Sequence, residues 1–315
     1  MAYEVDSEIA PMLAAAQQQK TGLPVVERGD WKTLRERGNI GQAYLASLVP
    51  SFPDVQLTSF FTMTEDRTPI ELRWYTRKDA APGSAVVYLH GGGMILGNLD
   101  LYDTVVSAYV IATGVPFLSV GYRLAPEVHT TTLAEDAFAG VNWLIAHRSP
   151  LGVDPSRIAL MGDSGGGGVA AGAAIVARGR KVTLARQILI YPMFDDRNVV
   201  PNPLLTPFAT WTYEQNETAW NAVLDGKQGS EMVSPIAAPA RLTDFSDLAP
   251  AYIEVGDLDI FRDEDIVYAL HLARAGVPVE LHVHPGVPHG FERLAPHSNV
   301  ARRAMDDRLR VIRSL

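Results

Sequence analysis

The chain has 315 residues, of which 47% are hydrophobic and 20% charged, a composition that allows a large buried core. Its formal net charge of −9, from 27 basic and 36 acidic residues, argues against binding to the phosphates of nucleic acid. No cysteine is present, which excludes disulfides and cysteine-ligated metal sites.

The first 50 residues have an amphipathic, mainly helical pattern that includes Trp31. Acidic residues precede Lys20 and no long apolar run follows, so this segment does not fit a secretory signal. The chain nowhere approaches the roughly 18 uninterrupted apolar residues of a membrane span. We therefore expect no membrane span, a cytoplasmic protein, and a helical cap segment over residues 1–50.

From about residue 55, short strand-like runs alternate with longer helical stretches. The runs are ELRWYT (71–76), SAVVYLH (84–90), PFLSVGY (116–122), RIALMG (157–162), QILIYP (187–192), AYIEVG (251–256) and VELHVHPG (279–286). Most of them are almost continuously apolar, which is typical of strands buried on both faces of a parallel sheet. The helical stretches include Asp103–Thr113, Leu133–His147 and Arg262–Ala275. The alternation predicts one α/β domain over residues 51–315, with a mostly parallel central sheet flanked by helices.

Residues from about 194 to 232 interrupt this alternation. They contain Trp211, Tyr213 and Trp220 in a setting rich in proline and asparagine. One interpretation is a surface helix packed on the core. The interpretation we favour is a lid over a site at the carboxyl ends of the strands, where open α/β sheets bind ligands. The three aromatic side chains would then line an apolar substrate pocket.

The sequence GDSGG at 162–166 fits the pattern G-x-S-x-G and lies between a predicted strand and a predicted helix. A sharp turn there would lift the Ser164 hydroxyl above the sheet, and the glycines would keep the approach to it open. The alternative is a phosphate-binding loop, but the G-K-[ST] of Walker A is absent. The glycine spacing also fails the G-x-G-x-x-G pattern of dinucleotide loops. The motif therefore predicts a nucleophile at Ser164.

A serine nucleophile requires donors that stabilise an oxyanion, and it requires a base. HGGG at 90–93 follows a predicted strand, and its glycines can point N–H groups outward. With the residue after the nucleophile, the predicted donors are Gly91, Gly92 and Gly165, and His90 shapes the loop.

Eight histidines compete for the role of base. His289 lies in the loop GVPHGF just after the last predicted strand, which is where the chain order serine, acid, histidine puts the base. His282 and His284 form an H-x-H pattern, but the sequence shows no further histidine or carboxylate cluster beside them. We therefore expect no metal site.

A catalytic triad also contains an acidic residue, which orients the base. In the chain order serine, acid, histidine, this residue should follow a strand between Ser164 and His289. The loop after AYIEV holds Asp257 and Asp259, whereas Asp263 and Asp265 lie one turn into the next helix, where an acid also complements the helix dipole. The spacing alone does not separate Asp257 from Asp259.

Six motifs in this order resemble the hormone-sensitive-lipase-like (bacterial family IV) esterases and lipases of the α/β-hydrolase superfamily, over roughly residues 85–291. They are HGGG (90–93), YRLAPE (122–127), GDSGGG (162–167), SPI (234–236), DIFRDE (259–264) and HGF (289–291). The family usually carries D-P-L-x-D-E with its first aspartate catalytic. That aspartate maps onto Asp259 and not onto Asp257.

The resemblance implies an α/β-hydrolase fold with about eight strands and a helical cap. It implies hydrolysis of short- to medium-chain acyl esters by a Ser164–His289–Asp259 triad without a cofactor, and it allows a homodimer. The chain departs from the family at Gly165, where alanine is common, at VHTTT (128–132) and at the Ile-Phe pair after Asp259. These departures affect loop shape and substrate preference.

Two alternatives to ester hydrolysis remain open at this point. The same triad would serve a hydrolase of amides, carbamates or lactones. A receptor on this scaffold, as in the plant gibberellin receptors, is disfavoured because those receptors lack the catalytic histidine.

Overall fold

The computed structural model describes residues 3–20, 26–78 and 83–315, and eight strands in this part of the chain form one sheet. The strands are β1 (Val55–Met63), β2 (Pro69–Arg77), β3 (Ala85–Leu89), β4 (Phe117–Val120), β5 (Ile158–Asp163), β6 (Arg186–Ile190), β7 (Ala251–Gly256) and β8 (Val279–His284). Their order is β1-β2-β4-β3-β5-β6-β7-β8, with β1–β2 and β2–β4 antiparallel and the other pairs parallel. The predicted mostly parallel sheet is confirmed.

Helices cover both faces of this sheet. They are α1 (Ala10–Lys20), α2 (Trp31–Ser47), α3 (Leu99–Thr113), α4 (Thr132–Ala146), α5 (Arg148–Leu151), α6 (Gly165–Gly179), α7 (Tyr213–Val223), α8 (Arg262–Arg274), α9 (Phe291–Leu294) and α10 (Asn299–Arg313). None of the helices in the described ranges has the length and apolar character that crossing a bilayer requires.

The two faces of the sheet explain why the central strands are apolar at every position. Val86 of β3 joins a cluster with residues of α3 and α10, whereas the next residue, Val87, joins the cluster formed with α4, α6 and α8. Successive side chains of a strand point to opposite faces, so a strand covered on both sides needs apolar residues throughout. All five residues of β3 and all six of β5 are buried accordingly.

The edge strand β1 is not among the strands predicted from the sequence. Its outward positions carry Leu57, Phe61 and Met63, which are exposed in the structure. Because these exposed residues are apolar, β1 lacks the polar alternation that would mark a half-exposed strand.

Helix α2 links the N-terminal segment to the loops after β3 and β4. The Arg35 guanidinium donates to the backbone carbonyls of Ile95 and Ala125 and pairs with the Glu127 carboxylate. The Asn39 side chain accepts from the backbone N–H of Gly97 at 2.9 Å. Residues 1–2 and 21–25 of the predicted cap segment lie outside the described residues, and its role as a cap stays a prediction.

Candidate active site

Ser164 occupies the single residue between β5 and α6. Its backbone has φ 57° and ψ −123°, a conformation that non-glycine residues rarely adopt and that is found mainly at functional sites. Its N–H donates to the Ile190 carbonyl at 2.9 Å, and its own carbonyl accepts from the N–H groups of Gly167 and Met193. The strained turn is therefore fixed by hydrogen bonds to the neighbouring strand and loop.

The glycines around Ser164 allow backbone to pack directly on backbone. A Cβ added to Gly162 would lie 2.2 Å from the Gly166 carbonyl oxygen. One added to Gly166 would lie 2.2 Å and 2.4 Å from the carbonyl oxygens of Leu89 and His90. These positions exclude any side chain, because real Cβ atoms do not approach backbone so closely.

We expect Gly166→Ala to lower the free energy of unfolding by about 1–3 kcal/mol, because overpacking at this site forces backbone to move. Urea denaturation measures the change. The matched control is Gly179→Ala at the end of the same helix, where an added Cβ meets nothing within 4 Å. That substitution should be neutral or stabilising by up to about 1 kcal/mol. Equal effects of the two substitutions would contradict the packing argument.

His289 contacts both of its predicted partners. Its Nε2 lies 3.0 Å from the Ser164 Oγ, and its Nδ1 lies 2.7 Å from the Asp259 Oδ2. The other oxygen of Asp259 accepts the backbone N–H of Phe261 at 3.0 Å. The Asp259 carboxylate is 1% exposed, so its hydrogen bonds face little competition from water.

Asp257 points elsewhere. Its Oδ1 accepts the N–H of Gly286 at 2.6 Å in the turn after β8, and burial raises the pKa of its carboxyl. The structure thus distinguishes the two aspartates that local spacing left equivalent, since only Asp259 hydrogen-bonds to the imidazole.

The HGGG loop lies against the start of α6. A Cβ on Gly165 would be 2.8 Å from the backbone nitrogen of Gly93 and 2.6 Å from that of Met94. Gly92 and Gly93 have φ values of 119° and 56°, which glycine adopts without strain. The nitrogen of Gly93 is an additional oxyanion-donor candidate that the sequence analysis missed. Gly93 is the last glycine of the HGGG motif, and this position in the motif could have identified it.

His90 is packed beneath this loop. Its ring stacks on Tyr122 with centroids 4.6 Å apart, its Nδ1 donates to the Gly91 carbonyl, and Tyr122 donates to its backbone carbonyl. Burial lowers the pKa of His90 to about 4, so the imidazole is neutral near pH 7. These contacts suit a residue that shapes the loop.

Asp163, beside Ser164, is also buried. It accepts a hydrogen bond from the Tyr88 hydroxyl, and burial raises the pKa of its carboxyl.

The insertion after β6 contacts both halves of the site. The Thr210 hydroxyl donates to the backbone carbonyl of His289 at 2.7 Å. The Trp211 ring packs on Gly93, where an added Cβ would lie 2.6 Å from Cζ2. Tyr213 and Trp220 belong to the main hydrophobic cluster, and Trp220 is fully buried. Trp211, one of the three predicted pocket aromatics, thus contacts the HGGG loop.

Asp265, in the first turn of α8, is fully buried, and neither of its carboxyl oxygens has a hydrogen-bond partner within the described part of the chain. Burial raises its pKa well above the ordinary value, with a further contribution from neighbouring Glu264. The folded protein therefore holds a proton here that the unfolded chain releases at lower pH. This contribution to stability is present below the ordinary aspartate pKa of about 4 and is lost as pH rises towards the folded value.

We expect Asp265→Asn to stabilise the protein relative to the wild type by an amount that grows between pH 5 and pH 8, because asparagine carries no proton to lose. Urea denaturation at both pH values measures it. Asp263→Asn, at an exposed position of the same turn, should change the free energy of unfolding by less than about 0.5 kcal/mol. A stability difference for Asp265→Asn that stays constant with pH would contradict the argument.

In the structure, two carboxylates lie beside His282 of β8. They are those of Glu280 and Asp307, and the potential ligand atoms of the three residues lie within 4.8 Å of one another. The sequence analysis did not find this cluster because Asp307 is on α10, far along the chain. The Arg310 guanidinium hydrogen-bonds both carboxylates, so this cluster already contains a cation.

Comparisons with known proteins agree with this architecture. A family model described as alpha/beta hydrolase fold matches residues 86–293. Ethyl acetate hydrolase of Pseudomonas putida is 34% identical over 244 residues, covering 73% of this chain and 74% of that protein. Esterase LipI of Mycobacterium tuberculosis is 35% identical over 229 residues, covering 71% of each.

Solved structures extend the similarity over nearly the whole chain. A bacterial heroin esterase superposes with a TM-score of 0.87 at 34% identity, covering 98% of this chain and 97% of that one. A hyperthermophilic esterase from the archaeon Pyrobaculum calidifontis superposes with a TM-score of 0.80 at 30% identity, covering 99% and 98%.

Proposed function

The chain belongs to the alpha/beta-hydrolase fold family, in its hormone-sensitive-lipase-like group, and we propose that it is a carboxylesterase whose nucleophile is Ser164. The observation that carries the proposal is the unbroken hydrogen-bond chain from the Ser164 hydroxyl through His289 to Asp259. Relatives named as esterases support ester hydrolysis as the reaction class.

In the proposed mechanism, Ser164 gives its proton to His289 Nε2 and attacks the ester carbonyl. Asp259 accepts from Nδ1, holds the ring in the productive tautomer and stabilises the imidazolium. His289 then protonates the departing alkoxide, and in the second half of the reaction it deprotonates the water that releases the acid.

Backbone donors stabilise the oxyanion in this mechanism. We assign this role to Gly165 and to the glycine loop at Gly91 and Gly92, and add Gly93 because its nitrogen lies beside Gly165. Residues 194–232 act as the lid, a role supported by the contacts of Thr210 and Trp211 with the base and oxyanion loops. The indole of Trp211 would limit the length of acyl chain that fits, which favours short- to medium-chain esters. A homodimer and a cytoplasmic location stay predictions for gel filtration and cell fractionation.

The test is a series of p-nitrophenyl esters with acetyl, butyryl, octanoyl and lauroyl groups, assayed with the purified protein. We expect kcat/KM for acetate and butyrate to exceed that for laurate. The matched control is the p-nitroanilide of butyric acid, which has the same acyl group on an amide nitrogen and should react far more slowly. A folded protein that hydrolyses none of the esters, or prefers the anilide, would contradict the proposal.

A further inference from the structure

A buried ion network lies behind the candidate base. Arg308 of α10 is 2% exposed, and the two carboxylates that it pairs with, Glu254 and Glu292, are 0% and 7% exposed. These groups come from three parts of the chain: β7, the short helix that follows His289, and the C-terminal helix. Charged side chains are rarely buried this completely unless their partners satisfy them.

Hydrogen bonds hold this network in one arrangement. Arg308 donates through Nε to Glu254 at 2.8 Å and through Nη1 to Glu292 at 3.0 Å. Three tyrosine hydroxyls join it: Tyr252 donates to Glu254 at 2.5 Å, Tyr191 donates to Glu292 at 2.5 Å, and Tyr109 accepts from Arg308 Nη1 at 3.2 Å. Each carboxylate thus accepts a hydrogen bond from one tyrosine hydroxyl. Tyr252 lies in β7, and Tyr191 directly follows β6.

Tyr191 connects the network to the imidazole. Its ring makes a T-shaped contact with His289, with centroids 4.5 Å apart and planes at 64°, and Phe261 makes a second T-shaped contact at 5.2 Å. Tyr191 has φ 36°, and its N–H donates to the Glu254 carbonyl at 2.7 Å. A non-glycine residue in this conformation is held there by its surroundings, so both the backbone and the hydroxyl fix the direction of the ring.

We propose that Tyr191 is a positioning residue for His289, and that the Glu292–Arg308–Glu254 network holds it in place from the C-terminal helix. The proposal rests on the proposed function, in which His289 is the base. Edge-to-face contacts between rings are directional, so a ring held by a buried hydroxyl restricts how far the imidazole can tilt away from Ser164 and Asp259.

The network is made of one guanidinium and two carboxylates, all buried. A second cation lies beside it, because Arg293 directly follows Glu292 and donates to the Tyr102 hydroxyl at 3.3 Å. Burial by itself would raise the pKa of Glu292, but Arg308 and the Tyr191 hydroxyl lower it below the usual range. Its second oxygen, Oε2, is buried without a hydrogen-bond partner among the described residues, so its charge is only partly compensated. Electrostatic interactions are less screened there than in water.

The experiment compares two tyrosine-to-phenylalanine variants of one network. Tyr191→Phe keeps the ring that contacts His289 and removes its bond to Glu292. Tyr252→Phe removes the equivalent hydroxyl from Glu254 but leaves the groups around His289 intact, because its ring contacts His282. Glu292→Gln is the second test variant, since it keeps the size of the side chain and removes its charge. Each is assayed for kcat and KM on p-nitrophenyl butyrate and for its melting temperature.

We expect Tyr191→Phe and Glu292→Gln to lower kcat roughly tenfold with KM changed by less than about twofold. Tyr252→Phe should lower the melting temperature by about as much as Tyr191→Phe does, and it should keep kcat within about twofold of wild type. Equal losses of kcat in Tyr191→Phe and Tyr252→Phe would show a purely structural network and overturn the inference, as would full kcat in Tyr191→Phe. If Tyr191→Phe does not fold, Glu292→Gln decides in the same way. A folded wild type without esterase activity would instead overturn the proposed function, and this inference with it.

Discussion

Replacing Ser164 by alanine is expected to lower kcat by on the order of 10⁶-fold, among the largest losses that a single substitution in this chain should produce. The substitution removes the atom that would form the acyl-enzyme, the Ser164 Oγ that lies 3.0 Å from the His289 Nε2. The rate that remains comes from the oxyanion donors and from binding, which together give about 10³–10⁴-fold over the reaction in water. Initial rates on p-nitrophenyl butyrate, at enzyme concentrations high enough to reach this floor, measure the loss.

Two controls separate loss of the nucleophile from loss of the fold. Ser107, inside α3, is 5% exposed and comparably buried, so Ser107→Ala should keep kcat within about twofold while changing the same atoms. An organophosphonate ester should label the wild type once, on the peptide that contains Ser164, and should not label the Ser164→Ala variant. A variant that keeps more than a few per cent of wild-type kcat, or that is labelled at another serine, would remove Ser164 from the mechanism.

The sequence carried enough information for the sheet and for the strand-to-helix turn at Ser164 because both depend on local constraints. A strand such as β5, covered on both faces, is apolar along almost all of its six residues, and this pattern is visible in the sequence alone. The turn at Ser164 needs glycines where backbone packs on backbone, and those glycines appear next to the serine. His289 could be selected from eight histidines because it follows the last strand, where the carboxyl edge of the sheet lies.

Features that depend on long-range pairing could not be obtained in this way. Trp211 and Trp220 are nine residues apart in one aromatic segment, yet Trp211 is partly buried and packs on the HGGG loop, whereas Trp220 is fully enclosed in the main core. Their apolar character indicates burial but does not indicate against which surface. Arg308 belongs to a helix rich in arginine whose other arginines face solvent; its spacing from Ala304 and Val311 places it on the buried face but does not indicate its partners. Its partner Glu254 is in a strand 54 residues earlier.

For the candidate acid, local sequence information was insufficient and the fold was needed. Asp257 and Asp259 are two residues apart in one loop, and their local surroundings in the sequence are equivalent. The resemblance to a family favoured Asp259, and the fold supplies the physical reason. The N–H of Phe261, the residue just before α8, donates to one oxygen of the Asp259 carboxylate, and the other oxygen is left for the imidazole.

Asp259→Asn is expected to lower kcat by on the order of 10⁴-fold on the same ester, with little change in KM. The carboxylate accepts the Nδ1 proton of His289, which leaves Nε2 free to take the proton of Ser164. An amide in the same place can present its NH₂ group to Nδ1, which favours the opposite tautomer, and it carries no charge to stabilise the imidazolium. The loss should therefore appear in the chemical step, measured as the rate of the p-nitrophenol burst.

Asp257→Asn is the matched control, because it makes the same chemical change two residues away. The Asp257 carboxylate accepts from the N–H of Gly286, a bond that the amide oxygen of asparagine can also accept, so kcat should stay within about threefold of wild type. If Asp257→Asn were the damaging substitution and Asp259→Asn were not, the carboxylate that orients the base would have to be Asp257. The turn after β8 would then have to rearrange when substrate binds, since in this structure Asp257 fixes that turn and not the imidazole. Comparing the two variants therefore tests both the identity of the acid and whether the resting geometry of the triad is already the reactive one.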